Sequence, residues 1–187
     1  ANEVQNRSGY EEWAATFRME YDIDANATFL FGYDHFDQDD TNRTHKTVVG
    51  ESFRGTTHGS DAYRRKDMDR RAAFARYIYR DGTGLIKEAD IGLSLQYMTE
   101  NYKRTETSGR TRHHKKWDDS TYGLNMRFVS DSSIGELTYG VDYYHDFINS
   151  EGFDRKRTDV ENDIQGLVAD DATYQQLGVY LQDKITI

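Results

Sequence analysis

Six histidines are the side chains of this 187-residue chain best suited to hold a metal or move a proton near neutral pH: His35, His45, His58, His113, His114 and His145. All six fall in predicted loops or at their edges. His58 in GTTHGSD and the adjacent pair His113–His114 offer imidazole nitrogens to a metal-bearing ligand, against the plainer reading that they are hydrated loop side chains. Carboxylates are plentiful, but Asp39–Asp40 and Asp170–Asp171 stand in predicted loops without a paired histidine or metal-ligand spacing. The chain has no cysteine, which excludes disulfides, thiolate metal sites and a cysteine nucleophile. No nucleophile motif, zinc pattern or phosphate-binding glycine loop is present, and GTG at 82–84 reads as a turn. The side chains therefore point to binding rather than catalysis, with no intrinsic cofactor.

The net charge of −9 argues against a general nucleic-acid partner, because phosphates attract the opposite sign. Charge is distributed unevenly. NYKRTETSGRTRHHKKW (101–117) is basic, and 103–116 within it is suited to the phosphates of an anionic ligand, or simply to a solvated loop, while DHFDQDD (34–40) is acidic. No stretch reaches the roughly 18 apolar residues of a membrane helix. The start, ANEVQNRSGY, lacks the basic-then-apolar pattern of a signal peptide.

The elements that must position these residues are strands. Hydrophobic content is only 36% and mean hydropathy is −0.93, yet 14 Tyr, 9 Phe and 2 Trp argue against disorder. Proline is absent, which suits long hydrogen-bonded strands. Period two predicts seven of them: 12–23, 27–36, 70–80, 89–102, 120–130, 135–147 and 174–187. The third also fits a helical stripe of Met68, Ala72, Ala75 and Tyr79. In the fourth, Ile91, Leu93, Leu95 and Tyr97 alternate with Asp90, Gly92, Ser94 and Gln96.

Short links alternate with long polar ones. The short links are DIDANA, DGTGLIKE and SDSSIG; the long ones fall near 38–69, 103–118 and 149–172, and the last is spaced for a helical turn through Val160, Ile164, Leu167 and Val168. Several long loops are unusual in a compact soluble domain, whereas outer-membrane barrels pair short periplasmic turns with long extracellular loops. Strand patterning alone does not separate a membrane barrel from a sandwich; the loop asymmetry favours the barrel. Tyr10, Tyr21, Tyr102, Tyr143 and Tyr174, near predicted strand ends, would form its aromatic girdle.

GELTYGVDYYHDFINS (135–150) and YQQLGVYLQDKITI (174–187) resemble barrel strands of TonB-dependent outer-membrane receptors, through Thr138, Tyr139, Gly140 and Val141 on a rising strand and Tyr180, Leu181, Gln182 and Asp183 on a descending one. Residues 76–104 resemble the preceding hairpin in the haem and haemoglobin branch, and the likeness covers about the last 110 residues. The resemblance implies an all-β fold, an antiparallel transmembrane β-barrel segment supplying seven strands of a barrel of about 22 strands. The whole chain, 1–187, would belong to that barrel domain, with the plug and the remaining strands outside it. It further implies a bacterial outer-membrane location among lipid and lipopolysaccharide, energy from the TonB complex acting through the plug, and uptake of haem or a ferric siderophore, free or carried by a haem protein. Ligand-binding candidates are then His58, His113 and His114 in the loops, with Arg127, Asp142, Asn125 and Gln176 lining the lumen. The alternatives are a soluble all-β ligand-binding module and a passive outer-membrane porin.

Overall fold

The computed structural model describes residues 8–44, 46–47, 58–108, 111–156 and 161–185; His45 and Val160 lie outside them. Among the described residues eight strands form: β1 (Glu11–Asp22), β2 (Ala27–Asn42), β3 (Asp61–Arg80), β4 (Glu88–Glu106), β5 (Thr111–Asp131), β6 (Gly135–Lys156), β7 (Glu161–Gln165) and β8 (Ala172–Ile185). They make one antiparallel sheet in which β1 to β6 each pair with the next. The far edge of β6 takes β8 along residues 135–148 and β7 along residues 151–155. Residues 70–80 are strand, so the helical alternative fails, because alternate residues of this segment meet partners on both β2 and β4.

The short links are the turns the sequence predicts. Asp24 closes 23–26 by accepting the Asn26 amide at 2.8 Å. Gly82, at a φ of 78°, adopts the left-handed backbone that 81–87 requires. Ser132 donates its amide to Gly135 at 2.9 Å, closing 132–134. These three turns define the proximal end of the sheet.

At the distal end the expectation of three long loops is corrected. Most of 103–118 is strand, with β4 and β5 in register out to Thr105 and Arg112. Much of 149–172 is also strand, and its expected helical turn is not found among the described residues, where Ile164 lies in β7 and Leu167 and Val168 in a bend. These extensions lack an apolar period because both of their faces are polar. Backbone ladders and cross-strand charge pairs hold them instead, such as Lys66 with Glu100 at 2.6 Å. The third expected loop, 38–69, lies partly outside the described residues, and its two ends, 38–42 and 61–69, are strand. At the start of β3 the fully buried Asp61 receives Arg104 at 2.9 Å and lies 3.4 Å from Arg64.

The sheet is a single layer. Among the described residues the buried apolar side chains are Ala27, Ala89 and Val129, all near the proximal turns. Leu93 is 58% exposed, Leu177 68% and Val179 76%, and no described element covers them.

Candidate functional site

Register sorts the side chains into two unlike faces, since residues directly opposed across an antiparallel pair point the same way. One face carries an apolar belt. Its middle row runs Met19, Phe31, Ala75, Leu93, Leu124, Tyr143, Leu177. Toward the proximal end follow Tyr77, Ile91, Met126, Val141 and Val179, then an edge with Tyr79, Phe128, Tyr139 and Leu181. Toward the distal end lie Phe17, Tyr33, Leu95 and Tyr122, then Tyr97 and Phe147. The proximal edge is thus rich in aromatic side chains, whereas the row of Tyr97 and Phe147 also holds Ala15, His35, Arg71, Ser120 and Thr173 and marks where the belt turns polar. From Ala89 to Tyr97 the belt covers about nine residues of β4, matching the 9 to 11 of a tilted membrane-spanning strand.

The expected girdle is corrected in its membership. Tyr21 lies on the belt face near its proximal edge and Tyr143 on that face but in its middle row, whereas Tyr102 and Tyr174 project to the opposite face and Tyr10 precedes β1. Proximity to a predicted strand end says nothing about parity along the strand.

The opposite face is polar and hollowed. Asn125 donates to Asp142 at 2.7 Å and to the Tyr144 hydroxyl at 3.0 Å. Directly beside this pair stand Gly92 and Gly178, where an added Cβ would meet nothing closer than 3.8 Å. The missing side chains leave an open depression walled by Phe74, Arg76, Ser94, Arg127 and Tyr180. Arg76 holds Asp90 through two hydrogen bonds, one at 2.6 Å, and Arg127 holds Glu88 at 2.8 Å. Arg18 pairs with Asp34 at 2.9 Å while its guanidinium lies 5.1 Å over the Phe74 ring. Such a surface offers fixed donors and acceptors to a polar ligand, with its own charges already partnered.

Of the sequence-predicted site residues, Arg127, Asp142, Asn125 and Gln176 share this polar face. The histidines do not join them. His113 lies fourteen residues from Arg127 on β5, which at the rise of a strand is about 45 Å. His35, His113, His114 and His145 also prove to lie within strands rather than loops, and His58 sits in the turn before β3. His113 shares the polar parity and pairs with Asp154, whereas His114 points the other way and packs edge-on against Phe153 at 4.9 Å. Adjacent strand residues face opposite sides, so the pair cannot bind one ligand together. Sequence reasoning missed Arg76, Glu88, Asp90 and Tyr144. Period two does carry their parity, but their pairing needs the register.

Burial, with the positive charge of Lys103 next, holds the His114 imidazole below its ordinary 6.5. The unfolded chain takes up this proton near 6.5 and the folded one only at lower pH. Stability should therefore fall as pH drops from 6.5 to the depressed folded value and then level off. NMR titration of the His114 ring should give a midpoint below 6.5, and His114→Phe should flatten the acid limb of the unfolding profile. A midpoint at or above 6.5 would contradict this.

The chain is thus an all-β protein with one antiparallel eight-stranded sheet and two chemically opposed faces. Comparison with protein families, curated proteins and solved structures returned no match.

Proposed function

We propose that the sheet is part of the wall of a bacterial outer-membrane β-barrel, and that the barrel is a TonB-dependent receptor importing an iron compound, haem or a ferric siderophore. The observation that carries the barrel reading is the exposed apolar belt on one face, aromatic along its proximal edge, set against a polar face of partnered charges. A lipid-facing apolar band about 25 Å tall over a wet interior has this arrangement. A soluble module would have to cover the belt, and no described element does so.

The receptor reading rests on the likeness of 135–150 and 174–187, and the pairing of those segments is in keeping with it. Thr138 opposes Gln182, Tyr139 opposes Leu181 and Gly140 opposes Tyr180, as expected of a rising strand and the descending strand after its loop. In this reading the distal hairpins, with His58 and His113, meet the ligand first. The depression around Asn125, Asp142 and Arg127 offers it hydrogen bonds inside the lumen. Energy comes from the inner-membrane complex through a plug.

Single-cysteine variants test the orientation. Leu93→Cys and Leu177→Cys should react with a lipid-soluble maleimide and resist a charged one in the protein reconstituted in vesicles; Asn125→Cys and Gln176→Cys should do the reverse. Equal access of the charged reagent to both sets would end the barrel reading. Iron-limited growth on haem or on a ferric siderophore, with and without a working TonB, tests the transporter separately. Growth independent of TonB would favour the passive porin.

A further inference from the structure

On the belt face, at its distal edge, β2 presents His35 and Asp37 two residues apart, so both side chains project the same way. Asp69 of β3 stands directly opposite Asp37 and diagonal to His35. One ligand atom from each of the three lies within 4.8 Å of the others, and His35 Nε2 is 2.7 Å from Asp69 Oδ2. We infer that His35, Asp37 and Asp69 form a binding site for a divalent transition-metal ion of the zinc class. This inference is independent of the membrane reading, because two paired strands supply the whole ligand set.

The surroundings orient the ligands. The Trp13 ring meets the imidazole edge-on at 4.4 Å, with Tyr33 at 6.4 Å, fixing the plane in which Nε2 points at the carboxylates. Arg71 donates to Asp69 Oδ2 at 3.4 Å, and its Nε lies 3.0 Å from Oδ1 as an ion pair. That grip steadies Asp69 as hydrogen-bonded carboxylate ligands are commonly steadied. Arg71 offsets one of the two carboxylate charges, so the triad with neutral imidazole stays net negative. One imidazole nitrogen with two carboxylate oxygens suits zinc, cobalt or nickel; magnesium and calcium prefer oxygen alone. Metal bonds of about 2.0–2.2 Å set tetrahedral donors roughly 3.4 Å apart, so His35 Nε2 and Asp69 Oδ2 would open slightly from their 2.7 Å, with an Asp37 oxygen already within 4.8 Å of both. The ion would take the place of the direct His35–Asp69 contact, and three protein ligands leave a fourth position for water or an outside donor.

The test is calorimetric titration of Zn2+ into the untagged full chain, folded in detergent and in a buffer without phosphate, with Co2+ as a visible-absorption probe. One equivalent should bind, at least tenfold more weakly in His35→Gln and in Asp37→Asn, and unchanged in His145→Gln. Absence of binding, or binding by His35→Gln equal to that of the parent, would overturn the assignment. If the variants lose their strand circular dichroism, the parent protein decides: Co2+ must shift the His35 ring resonances, and their failure to move rejects the site.

Discussion

Leu93→Arg is expected to destabilise the protein in a lipid bilayer by about 2–4 kcal/mol, the cost of a cationic side chain on the lipid face near the midplane. Leu93 sits in the middle row of the belt, opposed by Ala75 and Leu124, with 58% of its surface open. Two contrasts make the prediction specific. Leu181→Arg, at the proximal aromatic edge, should cost about 0–1 kcal/mol because the penalty falls toward the interface. Gln176→Arg, on the polar face, should stay within about 0.5 kcal/mol. Urea unfolding in vesicles, followed by the fluorescence of Trp13 and Trp117, provides the measurement. In water an exposed leucine replaced by arginine loses almost nothing, so equal and small effects at all three positions would refute a lipid-facing belt.

Gly140→Ala is the second large effect, expected to cost about 1–3 kcal/mol through overpacking. A Cβ built there would lie 2.1 Å from the Met126 carbonyl oxygen and 2.4 Å from the Tyr180 hydroxyl oxygen. The tyrosine can swing away, but the carbonyl belongs to the backbone of β5 and cannot move without bending the sheet. Gly178→Ala lies on the same face in the neighbouring row, where the nearest atom is 3.8 Å away, and it should be close to neutral. The difference between the two variants in the unfolding assay is the result to read. Equal stabilities would mean that the Met126 carbonyl does not crowd Gly140. The same arrangement recurs at Gly32 beneath Phe74 and at Gly123 beneath Tyr144, each ring opposite its glycine across the ladder. Rings laid over bare backbone shield it and tie neighbouring strands together where no core does so.

The central strands were legible because their two faces meet different surroundings. Ile91, Leu93, Leu95 and Tyr97 alternate with Asp90, Gly92, Ser94 and Gln96, and a period of two follows directly from the pleat. The distal halves were not legible. At 103–118 both faces are polar, no alternation marks the strand, and a run such as RTRHHKKW reads equally as a loop. Its extended form is imposed by partners, with Lys103 opposite His114 and Arg104 opposite His113. The candidate site divides in the same way. Arg127, Asn125, Asp142 and Gln176 could be placed on one face by counting residues, whereas the contact of Asn125 with both Asp142 and Tyr144 depends on how β5 registers with β6.

The metal-ligand triad shows the limit most clearly. His35 and Asp37 are two apart, a spacing visible in the sequence, but Asp69 joins them only because β2 and β3 align Asp37 with Asp69. The sequence by itself determined the all-β class, the three proximal turns and the parity of each central side chain, since pleat and turn chemistry act over a few residues. Register, the length of the distal strands and the bareness of the belt were decided only by the tertiary structure. Pairing is a property of two segments far apart in the chain, and exposure depends on whether anything else folds across them.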